Sequence, residues 1–264
     1  MKTIKYSLVF LGLILIGSFI YGKFFFDLDD YKGDITNYVS EKINYDFTYN
    51  GELILEYEPN ATIIVTKIVI SDPNKNQIIT KIDKLVLSIN KDKILNNIID
   101  VETVDISNMI LYGQNVDEML MKTYKLIKDQ KYSSYTNNNF TIIERMKANA
   151  LVDNDIMRVN NIDITTSLLQ IKGNGVININ SKVIDFIMTG FLRNKNDVAT
   201  IYKQEYPGEL YENKLPIKLK GNIENIDFSV DLTDIITRQI VNPIKDKILE
   251  ELEEKVREKI RLPF

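Results

Sequence analysis

The sequence predicts a mainly β protein with helical ends, an α+β chain built on a mostly antiparallel sheet. Three observations predict it. About ten short runs rich in Ile, Val, Leu and Thr are separated by turn chemistry such as Glu58-Pro59-Asn60 and Asp72-Pro73-Asn74. An apolar run from Tyr6 to Gly22 follows Lys2 and Lys5. Finally, Ile236, Ile240, Ile244, Ile248, Leu252, Val256 and Ile260 recur every four residues near the end of the chain.

Taken in order, 1–26 reads as a transmembrane anchor with a short cytoplasmic N-terminus. Residues 6–22 span roughly 26 Å as a helix, near the lower limit for a membrane, and Phe24, Phe25 and Phe26 extend the run if Lys23 snorkels. Lysines ahead of the run place the N-terminus in the cytoplasm and the remaining chain across the membrane. A cleaved signal peptide is the other reading, but no small-x-small site follows the run.

Residues 27–264 form the body. A membrane-proximal helical segment over 27–49 opens with Asp27, Asp29 and Asp30 and carries Tyr31, Ile35, Tyr38, Val39 and Ile43 on one face. Two placements suit that face: along the membrane surface, or against the end of the sheet. The first strand group covers 51–113, with Leu85, Leu87 and Ile89 on one face and Val86 and Ser88 on the other. KDKILNN at 91–97 reads as a helical turn, and Val104, Ile106 and Ile110 share a face in the run after it. A helix over 115–130 places Val116, Met119, Leu120, Tyr124 and Ile127 at helical spacing, with Asn115 or Asp117 as its cap. The second strand group, 140–230, alternates Ile177 and Ile179 with asparagines, and Ile184, Phe186 and Met188 with Asp185 and Ile187. A C-terminal amphipathic helix covers 231–260, broken or kinked at Pro243. Its EELEEKVREK stretch is acidic, which favours docking on the sheet over membrane contact.

Composition narrows the function. The net charge of -4 argues against nucleic acid as a partner. The 264 residues contain no Cys, His or Trp, so disulfides, thiolate zinc sites, thiol nucleophiles and imidazole-based triads have no residues to build them. Asp27, Asp29 and Asp30 suit a helix start, and Glu250, Glu251, Glu253 and Glu254 a solvated face, better than paired catalytic carboxylates or a calcium site. The expectation is a non-enzyme with no catalytic residue, metal or cofactor.

Two stretches carry a resemblance. DLDDYKGDITNYVSEKINYDFTYNGELILEYEPNATIIVTKIVISDP leads from a helix through Gly51 and Leu53 to a Pro59 turn and a strand ending Ser71-Asp72-Pro73. LPIKLKGNIENIDFSVDLTDII places Pro216, Gly221, Phe228 and Asp231 in an ending before a terminal helix, with Ile226 where a proline is common. In these features the chain resembles the AsmA family of bacterial envelope proteins and, more distantly, TamB and chorein-type lipid-transfer proteins. The resemblance implies a bent sheet forming an apolar trough that carries phospholipid. It implies an inner-membrane, single-pass protein with a periplasmic body, membrane and phospholipid as partners, and a role in outer-membrane and envelope biogenesis and homeostasis. Many relatives are longer, so local work at the inner membrane, or assembly with envelope protein partners, suits this length. The candidate lining is Leu85, Leu87, Ile89, Val104, Ile106, Ile177, Ile179, Ile184, Phe186 and Met188. Those alternating positions equally suit an ordinary filled core, in a structural or regulatory envelope protein acting through protein contacts.

Overall fold

The computed structural model describes residues 32–94, 99–113, 115–129, 139–222 and 225–230, together with 246 and 249–251. The expected anchor at 1–26 and nearly all of the expected C-terminal helix at 231–260 lie outside the described residues; 246 and 249–251 are helical. Among the described residues, no helix is long and apolar enough to cross a membrane.

The chain opens with α1 (Lys32–Ile43), whose Ile35, Val39 and Ile43 are buried. They belong to the same apolar cluster as the sheet, so this face closes on the sheet. Burying three such side chains contributes about 1.5–3 kcal/mol each. Asn44, at φ 57°, ends the helix. The segment expected to stay helical through residue 49 then turns into β1 (Asp46–Tyr49), where Ser40 Oγ accepts the Phe47 N–H at 2.9 Å. Its alternation is only four residues long, too short to compete with the helical period before it.

Strands β2 (Leu53–Glu56), β3 (Ala61–Asp72), β4 (Gln77–Ile89) and β5 (Ile99–Tyr112) follow, with the one-turn helix α2 (Lys91–Ile94) before β5. Helix α3 (Val116–Asp129) precedes β6 (Phe140–Asp153), β7 (Ile156–Thr166), β8 (Leu169–Asn178) and β9 (Val183–Leu192). A longer connection holding α4 (Thr200–Lys203) and a 3-10 turn (Gly208–Leu210) leads to β10 (Leu215–Asn222) and β11 (Asn225–Val230). All pairings are antiparallel, in one eleven-stranded sheet of order β1-β3-β4-β5-β6-β7-β8-β9-β10-β11, with β2 beside β1 on the same edge of β3. The sheet is open: its path ends at β1 and β11 without pairing them.

Strands β1 and β2 act as one interrupted strand. Between them, a Cβ on Gly51 would lie 2.1 Å from Thr66 Oγ1 and 2.8 Å from the Thr66 carbonyl oxygen. The Thr66 hydroxyl accepts the Glu52 N–H at 2.8 Å, so only glycine lets the chain pass this close to β3.

A crease crosses four strands. The inward-facing phase changes at Thr66-Lys67, at Asp83-Lys84, at Ser107-Asn108 and at Glu144-Arg145, and these positions are neighbours in the register. Lys67 (φ 55°) and Asn108 (φ 51°) supply the left-handed residues. Lys67 Nζ pairs with Asp83 at 2.9 Å, and the hydrogen bonds from Lys67 and Asn108 hold the Asp83 carboxyl below the usual range. Each strand slips by one residue in step with its neighbours, so the apolar face stays inward on both sides and the strands bend. One sequence expectation fails here: past Asn108, Met109 and Leu111 point in, and Ile110 points out.

The Ser71-Asp72-Pro73 turn is built around Asp72, which is 6% exposed. Its Oδ1 accepts the Asn74 N–H at 3.0 Å and its Oδ2 pairs with Lys75 at 3.1 Å. Asp72→Ala is expected to cost roughly 1–3 kcal/mol, the loss of charged-acceptor bonds, read as a lower denaturation midpoint.

Candidate functional site

The inner face of the sheet is the largest apolar feature of the described chain. The register aligns one lateral row across nine strands: Leu53, Val65, Leu85, Ile106, Met146, Ile164, Ile171, Gly190 and Leu215 are successive partners from β2 to β10. Eight spacings of about 4.8 Å make this row about 38 Å long. Parallel to it run Ile63-Leu87-Val104-Ala148 and Met157-Ile177-Ile184-Gly221.

All ten residues expected on the lining lie on this face. Leu85, Leu87, Ile89, Val104, Ile106, Ile177, Ile184 and Phe186 are buried, and Ile179 and Met188 are half-buried against the same cluster. Of the membrane-proximal set, Ile35 and Ile43 are buried, Tyr38 is partly buried against them, and Tyr31 lies outside the described residues. Burial is uneven along the face. Leu85 and Val104 are 0% exposed, whereas Leu55, Ile99, Met146 and Ile164, and also Met188, Ile179 and Leu219 near β8–β10, are half-buried. At that end Gly173 and Gly175 face inward opposite Met188 and Phe186, whose side chains lie over them. The outer face is mixed, with cross-strand pairs Arg145–Asp105 at 2.7 Å and Lys220–Asp185 at 2.8 Å beside exposed Ile54, Ile142, Val176 and Ile187. It also holds an open depression of about 490 Å³ lined by Asn161, Ile162, Asp163, Lys172, Gly173, Asn174, Thr189, Phe191 and Lys214.

A second apolar cluster closes the β8–β10 end. Leu120, Met121 and Tyr124 of α3 pack there with Leu168, Leu169, Ile171, Leu192, Leu215 and Ile217. The β9–β10 connection contributes Val198, Tyr202 and Leu210 to it. The sequence signal for that connection was weak, since its apolar residues are isolated among Asn, Lys and Glu. Asn115 is the cap of α3, its Oδ1 accepting the Glu118 N–H at 3.0 Å. Met119, read with the apolar face, is instead 41% exposed.

Asp117 is no cap. It is 1% exposed and accepts a hydrogen bond from the Thr166 hydroxyl and from the N–H groups of Ser167 and Leu168. Burial pushes its carboxyl up to about 7, against the opposing pull of those donors and of Arg193. Burial and the nearby Asp117 also raise the Tyr202 hydroxyl. Farther along α3, Lys125 pairs with Glu205 and Lys128 with Glu209. Burial opposes ionisation of Glu209, but bonds from Lys128 and Tyr124 hold its carboxyl below the usual range.

Among the described residues no group of three or more carboxylates is placed to hold a metal ion. No family model matches the chain, and no curated protein matches it.

Proposed function

We propose that this is a membrane-anchored, lipid-binding protein of the bacterial envelope, with the inner face of its sheet accommodating phospholipid acyl chains. The observation that carries the reading is the lateral row from Leu53 to Leu215, apolar or glycine at every position on an open sheet. Each methylene buried on such a face contributes about 0.8 kcal/mol, so a chain of about sixteen offers roughly 13 kcal/mol, and partial burial leaves release feasible. The half-buried Met146, Ile164, Ile179, Met188 and Leu219 support acyl-chain access along β6–β10, while Leu85 and Val104 belong to the protein's own core. Lys2 and Lys5 ahead of the apolar run support an inner-membrane anchor with a periplasmic body. The resemblance to AsmA-like proteins supports a part in binding or transferring phospholipid for outer-membrane biogenesis.

The depth of burial on β4 and β5 favours a second reading: a structural or regulatory envelope protein whose sheet has a filled core and which works through protein contacts. Native mass spectrometry of the gently extracted full chain separates the two. The lipid reading expects phospholipid at defined stoichiometry, lost in Met188→Asp while circular dichroism shows the sheet intact. A folded native chain that carries no lipid overturns it.

A further inference from the structure

Helix α3 is an insertion in a hairpin that is complete without it. Strands β5 and β6 pair from Ile99↔Val152 to Tyr112↔Phe140, and the Gly113 N–H donates to the Asn139 carbonyl at 2.6 Å, closing the stem. Helix α3 therefore lies outside this ladder, between its two closing residues in the chain. Gly113, at φ 103°, provides the left-handed residue where the chain departs. Moving α3 breaks no strand pairing, yet Leu120, Met121 and Tyr124 of α3 belong to the apolar cluster that also holds Leu168, Leu169, Ile171, Leu215 and Ile217.

What holds its first turn down is polar. Asp117 reaches into the β7–β8 corner, where Thr166, Ser167 and Leu168 donate to it. The groups around it are few and come from every element of the corner. Arg193, at the end of β9, donates to the Thr166 carbonyl and pairs with Glu144 of β6 at 2.8 Å. Tyr202 of α4 approaches with its hydroxyl, bonded to Asn115. On α3 itself Glu118 is 3% exposed and paired with Lys122 at 2.9 Å. Among the described residues the cation acting directly on Asp117 is Arg193, which is shared with Glu144, and a buried carboxylate here is incompletely compensated.

We propose that α3 is a releasable lid over the β8–β10 end of the inner face, and that the charge state of Asp117 in the Thr166–Leu168 corner sets whether it is closed. The proposal goes beyond the lipid reading and does not depend on it, since lid movement is measured without lipid. The direction follows from linkage. Docked, the carboxyl titrates at about 7; released into water it titrates near 3.9. The lid is therefore held fully below a pH of about 4 and loosens as the pH rises through about 7. Between about pH 5 and pH 8.5 the open-to-closed ratio is expected to rise on the order of 100-fold.

The chain has no cysteine, so two can be introduced cleanly, by Met119→Cys on the exposed side of α3 and Lys218→Cys on the outer side of β10. Spin labels at these sites, in the full chain, report the α3-to-sheet distance by pulsed electron resonance. A single short distance at pH 5, joined by a longer population as the pH rises through about 7, is the expected result. Asp117→Asn removes the charge and should abolish that response. Thr166→Val removes a donor that favours the ionised form, and should move the midpoint upward. Identical distance distributions at pH 5 and pH 8.5 overturn the proposal, as does a response that survives Asp117→Asn. If Asp117→Asn fails to fold, Thr166→Val decides: an upward-shifted midpoint supports the lid, and an unmoved one overturns it.

Discussion

Leu87→Asp is expected to abolish the cooperative unfolding transition of the protein. Leu87 is 1% exposed, between Ile63 and Val104 in the register and within the main apolar cluster. Aspartate there loses the buried leucine and either strands a charge or carries a protonated carboxyl with no hydrogen-bond partner. The cost exceeds about 4–5 kcal/mol, comparable with the whole stability of many domains. Ile187→Asp is the matched control. Ile187 points to the outer face of β9 and is 63% exposed, so the same side chain there should change stability by within about 0.5 kcal/mol. Urea titrations followed by circular dichroism compare the two directly. A folded Leu87→Asp with a near-native midpoint would show that the β4–β5 part of the face is open space, and would move the proposed lipid contact there.

The second large effect is expected at the inward glycines. A Cβ on Gly173 would lie 2.4 Å from the Ile187 carbonyl oxygen and 2.7 Å from the Met188 Cα, both backbone atoms that cannot turn away. A Cβ on Gly175 would lie 2.2 Å from Cδ1 of the Phe186 ring. Both alanine variants overpack a filled space, at about 1–3 kcal/mol, with Gly173→Ala at the upper end. They should part company in double variants. Phe186→Leu removes the ring that crowds Gly175, so Gly175→Ala should recover much of its loss in that background. Gly173→Ala should gain nothing from Met188→Ala, because the carbonyl remains. The coupling is read from the four midpoints of each cycle, and equal coupling at both glycines would contradict this account.

Much of this was legible along the chain because a strand reports its two faces with a period of two. Leu85, Leu87 and Ile89, and again Ile184, Phe186 and Met188, alternate with polar or outward residues, and each set reached the inner face together. The turns announced themselves through Asp72-Pro73-Asn74 and Pro59, and α3 through its spacing of three and four. The reading failed where that local period is broken by a long-range cause. Ile110 faces outward because Asn108 adopts a left-handed conformation in step with Lys67 on β3. No window on one strand contains that partner. For the same reason Asp117 read as a helix cap: its neighbours in sequence are those of a first turn, whereas Thr166, Ser167 and Leu168 come from a corner some fifty residues away.

By itself, then, the sequence determined the class of the molecule, the faces of its strands, and the absence of thiol and imidazole chemistry, all properties of residue type and short-range spacing. Tertiary structure alone decided the sharing of one edge of β3 by β1 and β2, the crease that keeps the apolar row unbroken, and the burial of Asp117. Each of these depends on which distant backbone a residue meets, and on how far that meeting removes it from water.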